Sequence, residues 1–393
     1  KNMKRFPEVT AQYEPVEPPI MPVTYDDAYR AALANLNFAL DSNELSERVW
    51  QVSNFILQRN CYHYTNFTLR RRIVLRRLQE IQEQIQQKLS LQFPNPPIQN
   101  NDEDLPSEQI RKQVQIENQL KPKSQILNSQ QSEIVQDLIL QQSQIIHDEL
   151  KLVQQIMLEK EQHKNFQLWN YRHELVSAAS TLQLHSILHN ELKDRRILEL
   201  DEKNYHFYDY QSKLVNLECN IPEFSYQFTF LANKHFEINK ELIKELIEIQ
   251  KNLIQEDIRN NSAISFFVFL TAVFQLSLET AEKGEYLEEQ ALYVQKLVEK
   301  ATMNEASWSA LQFYVDFLVH LEEKEKIQKI KEFICKYASF DPEEFVSSYA
   351  VYQRFRLVKK GFAEEGEAQE VSKLCGEIHQ ITGKAYWEWL ATQ

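Results

Sequence analysis

Apolar residues recur every three to four positions along most of this chain, which is the period of an amphipathic α-helix. The segment 242–249 (LIKELIEI) places its leucines and isoleucines on one face and its charged residues on the other. The run 264–278 (ISFFVFLTAVFQLSL) is apolar on all sides. Since a membrane-spanning helix needs about 20 such residues, we predict a buried helix there.

Residues that interrupt helices are concentrated in a few places. Ten of the 12 prolines lie before residue 23 or between 94 and 122, so most of the remaining chain is free to be helical. There are 5 glycines, and the first is Gly284. Without glycine, residues 1–283 contain no Walker motif and no Rossmann fingerprint, and a β fold rich in hairpins is disfavoured.

A short cassette repeats along the predicted helices: a polar residue, an aromatic residue, a larger aromatic residue three positions later, and then an arginine. The clearest copy is 164–172 (KNFQLWNYR), and others begin at 63 (HYTNFTLRR) and 203 (KNYHFY). Weaker copies begin at 261 (NSAI) and 305 (EASW). Because the larger side chains at 169, 208, 264 and 308 are spaced as in helical hairpins, the pattern predicts a solenoid.

The cassette residues have structural interpretations of their own. Asparagine is suited to capping a helix N-terminus, and aromatic residues and arginine three or four positions apart share one helix face. We therefore expect caps, packing residues and a facing arginine at Asn165, Asn204, Trp169, Tyr208, Trp308 and Arg172.

The distance from Phe67 to Trp169 is too long for one hairpin, which indicates an insertion. The predicted organisation is an extended arm at 1–25, first hairpins at 26–92, an insertion rich in Gln, Asn and Pro at 93–146, and further hairpins of a single solenoid domain at 147–393. We expect the insertion to be irregular at first and helical over about 126–140.

The net charge and the cysteine content argue against some classes of function and indicate the compartment in which the protein folds. The net charge of −13 argues against a nucleic-acid-binding protein, and we interpret the basic run 70–77 as a solvated or partner-facing helix side. The four cysteines are scattered singly, which indicates a reducing compartment. His185 and His189 have helical spacing but no third ligand nearby, so we expect no metal site in this chain.

The cassette resembles the repeat of protein prenyltransferase α subunits. Further segments resemble the family's entry, its next hairpin, its later cassettes and its closing helix: 13–16 (YEPV) with 22–30 (PVTYDDAYR), 46–50 (SERVW), 259–262 (RNNS), 304–308 (NEASW) and 386–387 (YW). The resemblance covers nearly the whole chain apart from the insertion. It implies an all-α, right-handed superhelix of hairpins wrapped around a β subunit, an α-α barrel that carries the catalytic zinc.

The resemblance also implies site residues at the rim of the α subunit. Lys164 matches a lysine that contacts the prenyl diphosphate, and Tyr205 and His206 match residues beside that diphosphate. Gln167 matches a glutamine that meets the C-terminal carboxylate of the CaaX substrate, and Tyr64 matches a residue lining the peptide pocket. Such donors stabilise the charge that develops on a departing diphosphate. No cofactor is expected on this chain, with zinc on the β subunit.

Several positions depart from the family pattern. Phe166 stands where the family usually has tyrosine, Gln211 replaces an arginine, and Ile264 and Phe267 replace tryptophan and arginine. The apolar face that results requires burial, and an additional protein partner is one way to provide it.

Three hypotheses follow from the resemblance. The first is the α subunit of a cytoplasmic farnesyl- or type I geranylgeranyltransferase, inactive without its β subunit and acting on a prenyl diphosphate and a CaaX protein. The second, favoured by the altered cassettes, is a catalytically silent scaffold that binds neighbouring subunits of a large assembly, with a mitochondrial location as the alternative. The third and least favoured is a Rab-type α subunit, because the insertion is too short to be an extra domain.

Overall fold

The computed structural model describes residues 25–90, 129–221, 236–338 and 347–393. These residues form 15 helices and contain no strand, which confirms the predicted all-α fold of helical hairpins. The helices are α1 (Asp27–Asp41), α2 (Glu47–Arg59), α3 (Tyr64–Ser90), α4 (Ser129–Glu159), α5 (Phe166–Thr181), α6 (His185–Lys193), α7 (Tyr205–Glu218), α8 (Lys240–Glu256), α9 (Asn261–Gln275), α10 (Thr280–Lys300), α11 (Glu305–His320), α12 (Lys324–Ala338), α13 (Ser348–Lys359), α14 (Glu367–Thr382) and α15 (Ala385–Ala391).

The chain divides into two compact units, Lys1–Lys193 and Asp194–Gln393. In the first unit each helix packs on the next, and α3 also packs on α5. Its core begins where α1, α2 and α3 bury Leu36, Ile56 and Ile73 completely. The predicted arm, apart from Tyr25, lies outside the described residues, and the right-handed superhelix stays a prediction.

The predicted insertion is helical in its last part. Residues 91–128 lie outside the described part of the chain, but α4 already begins at Ser129. Val135 and Leu138 of α4 pack with Ile85 of α3 in a small hydrophobic cluster. Residues 129–146 therefore belong to a hairpin formed by α3 and α4.

In the second unit the helices that begin at cassettes form a layer of their own. Contacts join α7 to α9, α9 to α11, and α11 to α13, and each partner helix packs against the cassette helix next to it in sequence. The apolar run predicted to be a buried helix is α9, in which Ile264 and Phe267 are fully buried. Among the described residues, no helix combines the length and apolar character that crossing a membrane requires.

Asparagine begins most of the cassette helices, which we define as α3, α5, α7, α9, α11 and α13. The side-chain oxygens of Asn165, Asn204, Asn260 and Asn304 each accept a hydrogen bond of 3.0 Å from a backbone N–H in the first turn. These bonds satisfy N–H groups that have no partner within the helix. The fourth cassette therefore begins at Asn260, one residue before the segment that the sequence indicated.

The first cassette begins differently. Nδ1 of His63 accepts a hydrogen bond of 3.2 Å from the backbone N–H of Asn66, so His63 occupies the place of the cap. Burial lowers the pKa of His63, which favours the neutral ring that this acceptor role requires. Asn66 lies inside α3, where its amide donates to the carbonyl of Ser53 at 3.1 Å.

The caps also connect successive repeats. At four of the caps, three asparagines and Ser347, the side chain donates to a carbonyl two residues before the preceding cap. The pairs are Asn165 with Cys61 at 2.8 Å, Asn260 with Glu202 at 3.0 Å, Asn304 with Ile258 at 2.8 Å, and Ser347 with Thr302 at 3.4 Å. One side chain thus begins a helix and sets its distance from the helix before it.

Candidate functional site

The arginine seven residues after a cap points into its own hairpin. Arg70 is 1% exposed, and its Nε and Nη2 each donate to Glu149 of α4 at 2.6 Å. Tyr171 of α5 donates to the same carboxylate at 2.7 Å. Burial and the Glu149 charge raise the pKa of Tyr171. This arrangement connects three helices and leaves Arg70 no access to a ligand.

The same construction recurs at two other cassettes. Arg172 pairs with Glu191 of α6 at 2.6 Å and also donates to Gln154 of α4. Arg354 pairs with Glu367 and Glu370 of α14 at 3.1 and 2.6 Å. Arg354 identifies a sixth cassette, headed by Ser347, that the sequence analysis missed. An arginine seven residues after a polar cap, as in Ser347 and Arg354, was the sequence signal that could have revealed this cassette.

The helix surface that carries residues +1, +2 and +5 from each cap stays accessible. In the first unit it forms a small pocket of about 60 Å³ between α3 and α5. The pocket is lined by Tyr64, Gln167, Asn170 and other residues of the two helices. The structure therefore brings together Tyr64 and Gln167, the two residues predicted to bind substrate.

The aromatic side chains of Tyr64 and Phe166 and the amide of Gln167 line this pocket. Tyr64 and Phe166 are 66% and 59% exposed, respectively, so both offer apolar surface to a ligand. The side-chain oxygen of Gln167 is buried and has no hydrogen-bond partner among the described residues. A buried acceptor without a donor is costly, and only the NH2 group of this amide could donate to a ligand.

An ion pair forms another part of the pocket. Arg71 of α3 and Glu174 of α5 both line it, with Nη1 and Oε1 separated by 3.0 Å. Their side chains are 49% and 26% exposed, respectively. Burial raises the pKa of Glu174, so its charge is less favourable than in water. The sequence identifies Arg71 only as part of a basic run.

The other arginines of that run have partners on the protein surface. Arg72 donates to Asn43, Arg76 pairs with Glu80, and Arg77 pairs with Glu47. These three contacts agree with the interpretation of the run as a solvated helix side. Arg70 and Arg71 depart from it, one by burial and the other by its place in the pocket.

The two lysines that precede capping asparagines are both exposed. Lys164 is exposed, directly before the cap of α5. Lys203 precedes the cap of α7, and its Nζ pairs with Asp257 at 2.6 Å. Because each lysine directly precedes a capping asparagine, Lys203 is a suitable comparison for Lys164.

Tyr205 and His206 begin α7 in the second unit, with ring centroids 3.9 Å apart. Tyr205 is 65% exposed. It lines a groove of about 910 Å³ across α7, α9 and α11, whose other lining residues include Phe266, Phe269 and Phe313. The groove is the counterpart of the pocket in the first unit, with a more apolar surface.

The altered fourth cassette is covered by the chain itself at its centre. Phe267 is fully buried, and its ring centroid lies 5.1 Å from that of Tyr293 on α10. Ile264 is 1% exposed. The face that was expected to need an additional partner therefore needs none at these two positions, whereas Phe269 and Phe313 remain half-buried at the groove.

Comparison with solved structures finds the same fold in a chain of the structure titled "Candida albicans protein geranylgeranyltransferase-I complexed with GGPP". The alignment covers 97% of this chain and 95% of that chain, with a TM-score of 0.56 and 19% sequence identity. No protein-family model matches the sequence, and no curated protein matches it either. At this identity the likeness establishes the fold, which is that of a chain from a protein prenyltransferase structure.

Proposed function

We propose that this chain is the non-zinc subunit of a heterodimeric protein prenyltransferase of the farnesyl or type I geranylgeranyl class. The observation that carries the proposal is the pocket between α3 and α5, where Tyr64 and Gln167 meet on a fold that aligns over 97% of the chain. In this proposal, a zinc-bearing β subunit docks on the exposed side of the cassette helices, and the complex acts in the cytoplasm.

The predicted roles are consistent with the chemistry of the residues. Lys164 would place a positive charge near the departing diphosphate, and Tyr205 and His206 would add hydrogen-bond donors, since these groups favour the charge that develops as the bond breaks. Gln167 would hold the peptide's carboxylate through its amide, and Tyr64 would pack against the peptide. Zinc, bound by the β subunit, would lower the pKa of the substrate cysteine and so favour its reactive thiolate.

A second candidate is a catalytically silent scaffold with the same fold, as a subunit of a larger assembly. Phe166 favours it, because an exposed phenyl ring has no hydroxyl to offer a diphosphate. In that case Lys164 would have no catalytic role, and the exposed aromatic residues would contact a protein partner.

The two candidates differ in the effect of removing Lys164. For a transferase, Lys164→Ala should lower the rate of prenyl transfer to a CaaX peptide by roughly 10²–10³, which is the loss expected for a group that stabilises developing charge. Steady-state transfer by the copurified complex is the measurement. The matched control is Lys203→Ala, which removes a half-exposed ion pair and should leave the rate close to that of the wild type.

Equal losses in the two variants would contradict the role of Lys164. An inactive wild-type complex would favour the scaffold. Thermal melting of both variants should stay near wild type, since exposed ion pairs contribute only about 0–1 kcal/mol.

A further inference from the structure

We propose that Arg71 is a second anchor for the peptide's terminal carboxylate and that Glu174 competes with this carboxylate for it. The inference rests on the proposed function, and it assigns to the pocket a charge-based selection of substrates. It concerns two residues to which the family resemblance gave no role.

The first step is the placement of the two residues. Arg71 follows the buried Arg70 directly, but consecutive helical residues point about 100° apart. Arg70 is therefore held by Glu149 inside the hairpin, whereas Arg71 lies in the pocket between α3 and α5. Gln167 and Asn170 line the same pocket, so a guanidinium and two carboxamides face one small space.

The second step is the fit of the pocket to its ligand. A volume of about 60 Å³ has room for a small polar group. A terminal carboxylate has this size, and a guanidinium can bind both of its oxygens. The exposed rings of Tyr64 and Phe166 then lie beside the preceding part of the peptide.

The third step is the exchange of partners. The Arg71–Glu174 pair has one bond at 3.0 Å and a half-exposed arginine, so solvent screens it and its rupture costs little. An arriving carboxylate therefore displaces Glu174 from Arg71, and the negative charge of Glu174 opposes ligand binding until it moves away.

The test compares variants with opposite expected effects. Fluorescence anisotropy measures the binding of a labelled CaaX peptide to the copurified complex, once as the free acid and once as the C-terminal amide. Arg71→Gln should raise the Kd of the acid by about 10-fold or more, because a charge-assisted hydrogen bond is lost. Glu174→Gln should lower that Kd roughly 3- to 10-fold by removing a like charge. Neither change should alter the Kd of the amide peptide more than about twofold.

The chain contains a matched control on the same helix. Arg76 and Glu80 form a more exposed pair at 2.8 Å outside the pocket. Arg76→Gln and Glu80→Gln should leave both Kd values at wild type. Arg71→Lys should recover part of the acid preference, since it keeps the charge but loses the two-point geometry.

Three results would overturn the inference. Arg71→Gln could weaken acid and amide peptides equally, which would mean a structural role. Glu174→Gln could weaken the acid peptide, which would mean that Glu174 supports binding. The wild-type complex could also bind acid and amide peptides equally. Because binding is measured without turnover, a complex that prefers the acid but transfers no prenyl group would contradict the proposed function and leave the role of Arg71 standing.

Discussion

At the residue scale, the position seven residues after each cap determines what fills the middle of its hairpin. Arg70, Arg172 and Arg354 reach carboxylates on the following helix, so each buried charge is neutralised. Phe267 occupies this position in α9 and packs on Tyr293 instead.

Gln250 of α8 is a buried amide in the second unit. It is fully buried, and neither its amide nitrogen nor its oxygen has a hydrogen-bond partner among the described residues. Gln250→Leu should therefore raise the free energy of unfolding by about 1–3 kcal/mol, because it removes unmet polar atoms at nearly constant volume. Urea denaturation followed by circular dichroism measures the difference.

Gln154 provides the comparison for Gln250. It is also buried, on the helix before a cassette, but its side-chain oxygen accepts a hydrogen bond from Arg172. Gln154→Leu should lower the free energy of unfolding, since it takes an acceptor from a buried cation. If Gln250→Leu were as harmful as Gln154→Leu, Gln250 would have a partner that its packing does not reveal.

At the scale of elements, a capping side chain such as that of Asn304 performs two functions: it caps its own helix and it bonds to the preceding repeat. Asn304 accepts from the N–H of Ala306 and donates to the carbonyl of Ile258, both within 3.0 Å. Asn304→Ala should cost about 1–3 kcal/mol of unfolding free energy, because a cap and a bond between repeats are lost together. Urea titration monitored by circular dichroism is again suitable.

Asn304→Ser is the matched variant for this prediction. Ser347 makes both kinds of contact with one hydroxyl, to the N–H of Ala350 and to the carbonyl of Thr302. Serine at position 304 should therefore retain much of the stability that alanine loses. Equal losses for serine and alanine would show that the amide's length, and not its bonding capacity, is what the site requires.

The elements themselves were largely predictable from sequence, because caps, aromatic residues and arginine recur at helical spacing. The start of α3 was less predictable, since both His63 and Asn66 are polar and only the backbone shows which one is the cap. The pairing of Arg70 with Glu149 joins residues on either side of the long 93–146 interruption, which no local pattern indicates. For the site, a basic run gave no indication that neighbouring arginines 70 and 71 would have opposite surroundings.

At the scale of the whole molecule, buried tyrosines connect stability to pH in both units. Burial raises the pKa of Tyr208 and of Tyr293 to about 12 each. It also raises the pKa of Tyr171, Tyr286 and Tyr314 above the ordinary value of 10.0. All five phenols are therefore held in their protonated form by the fold.

The sign of the pH dependence follows from these shifts. Below pH 10 the five phenols keep their protons in both the folded and the unfolded chain, so their contribution to the free energy of unfolding is fully present. Above pH 10 the unfolded chain releases its phenolic protons first, so it binds fewer protons than the folded chain and stability falls as pH rises. We expect the free energy of unfolding to decline steadily from about pH 10 towards pH 12.

An alkaline titration tests this with two signals from one sample: tyrosinate absorbance and far-ultraviolet circular dichroism. The absorbance of the buried tyrosines should rise in the same step in which helicity is lost, because the phenols ionise only when the fold opens. Tyr314→Phe should make that step less steep, since it removes one of the linked protons, although it also removes a hydrogen bond of 2.8 Å to Thr271. Complete ionisation of all tyrosines with helicity intact would show that these side chains reach solvent without unfolding, and would contradict the tight burial on which the pH dependence depends.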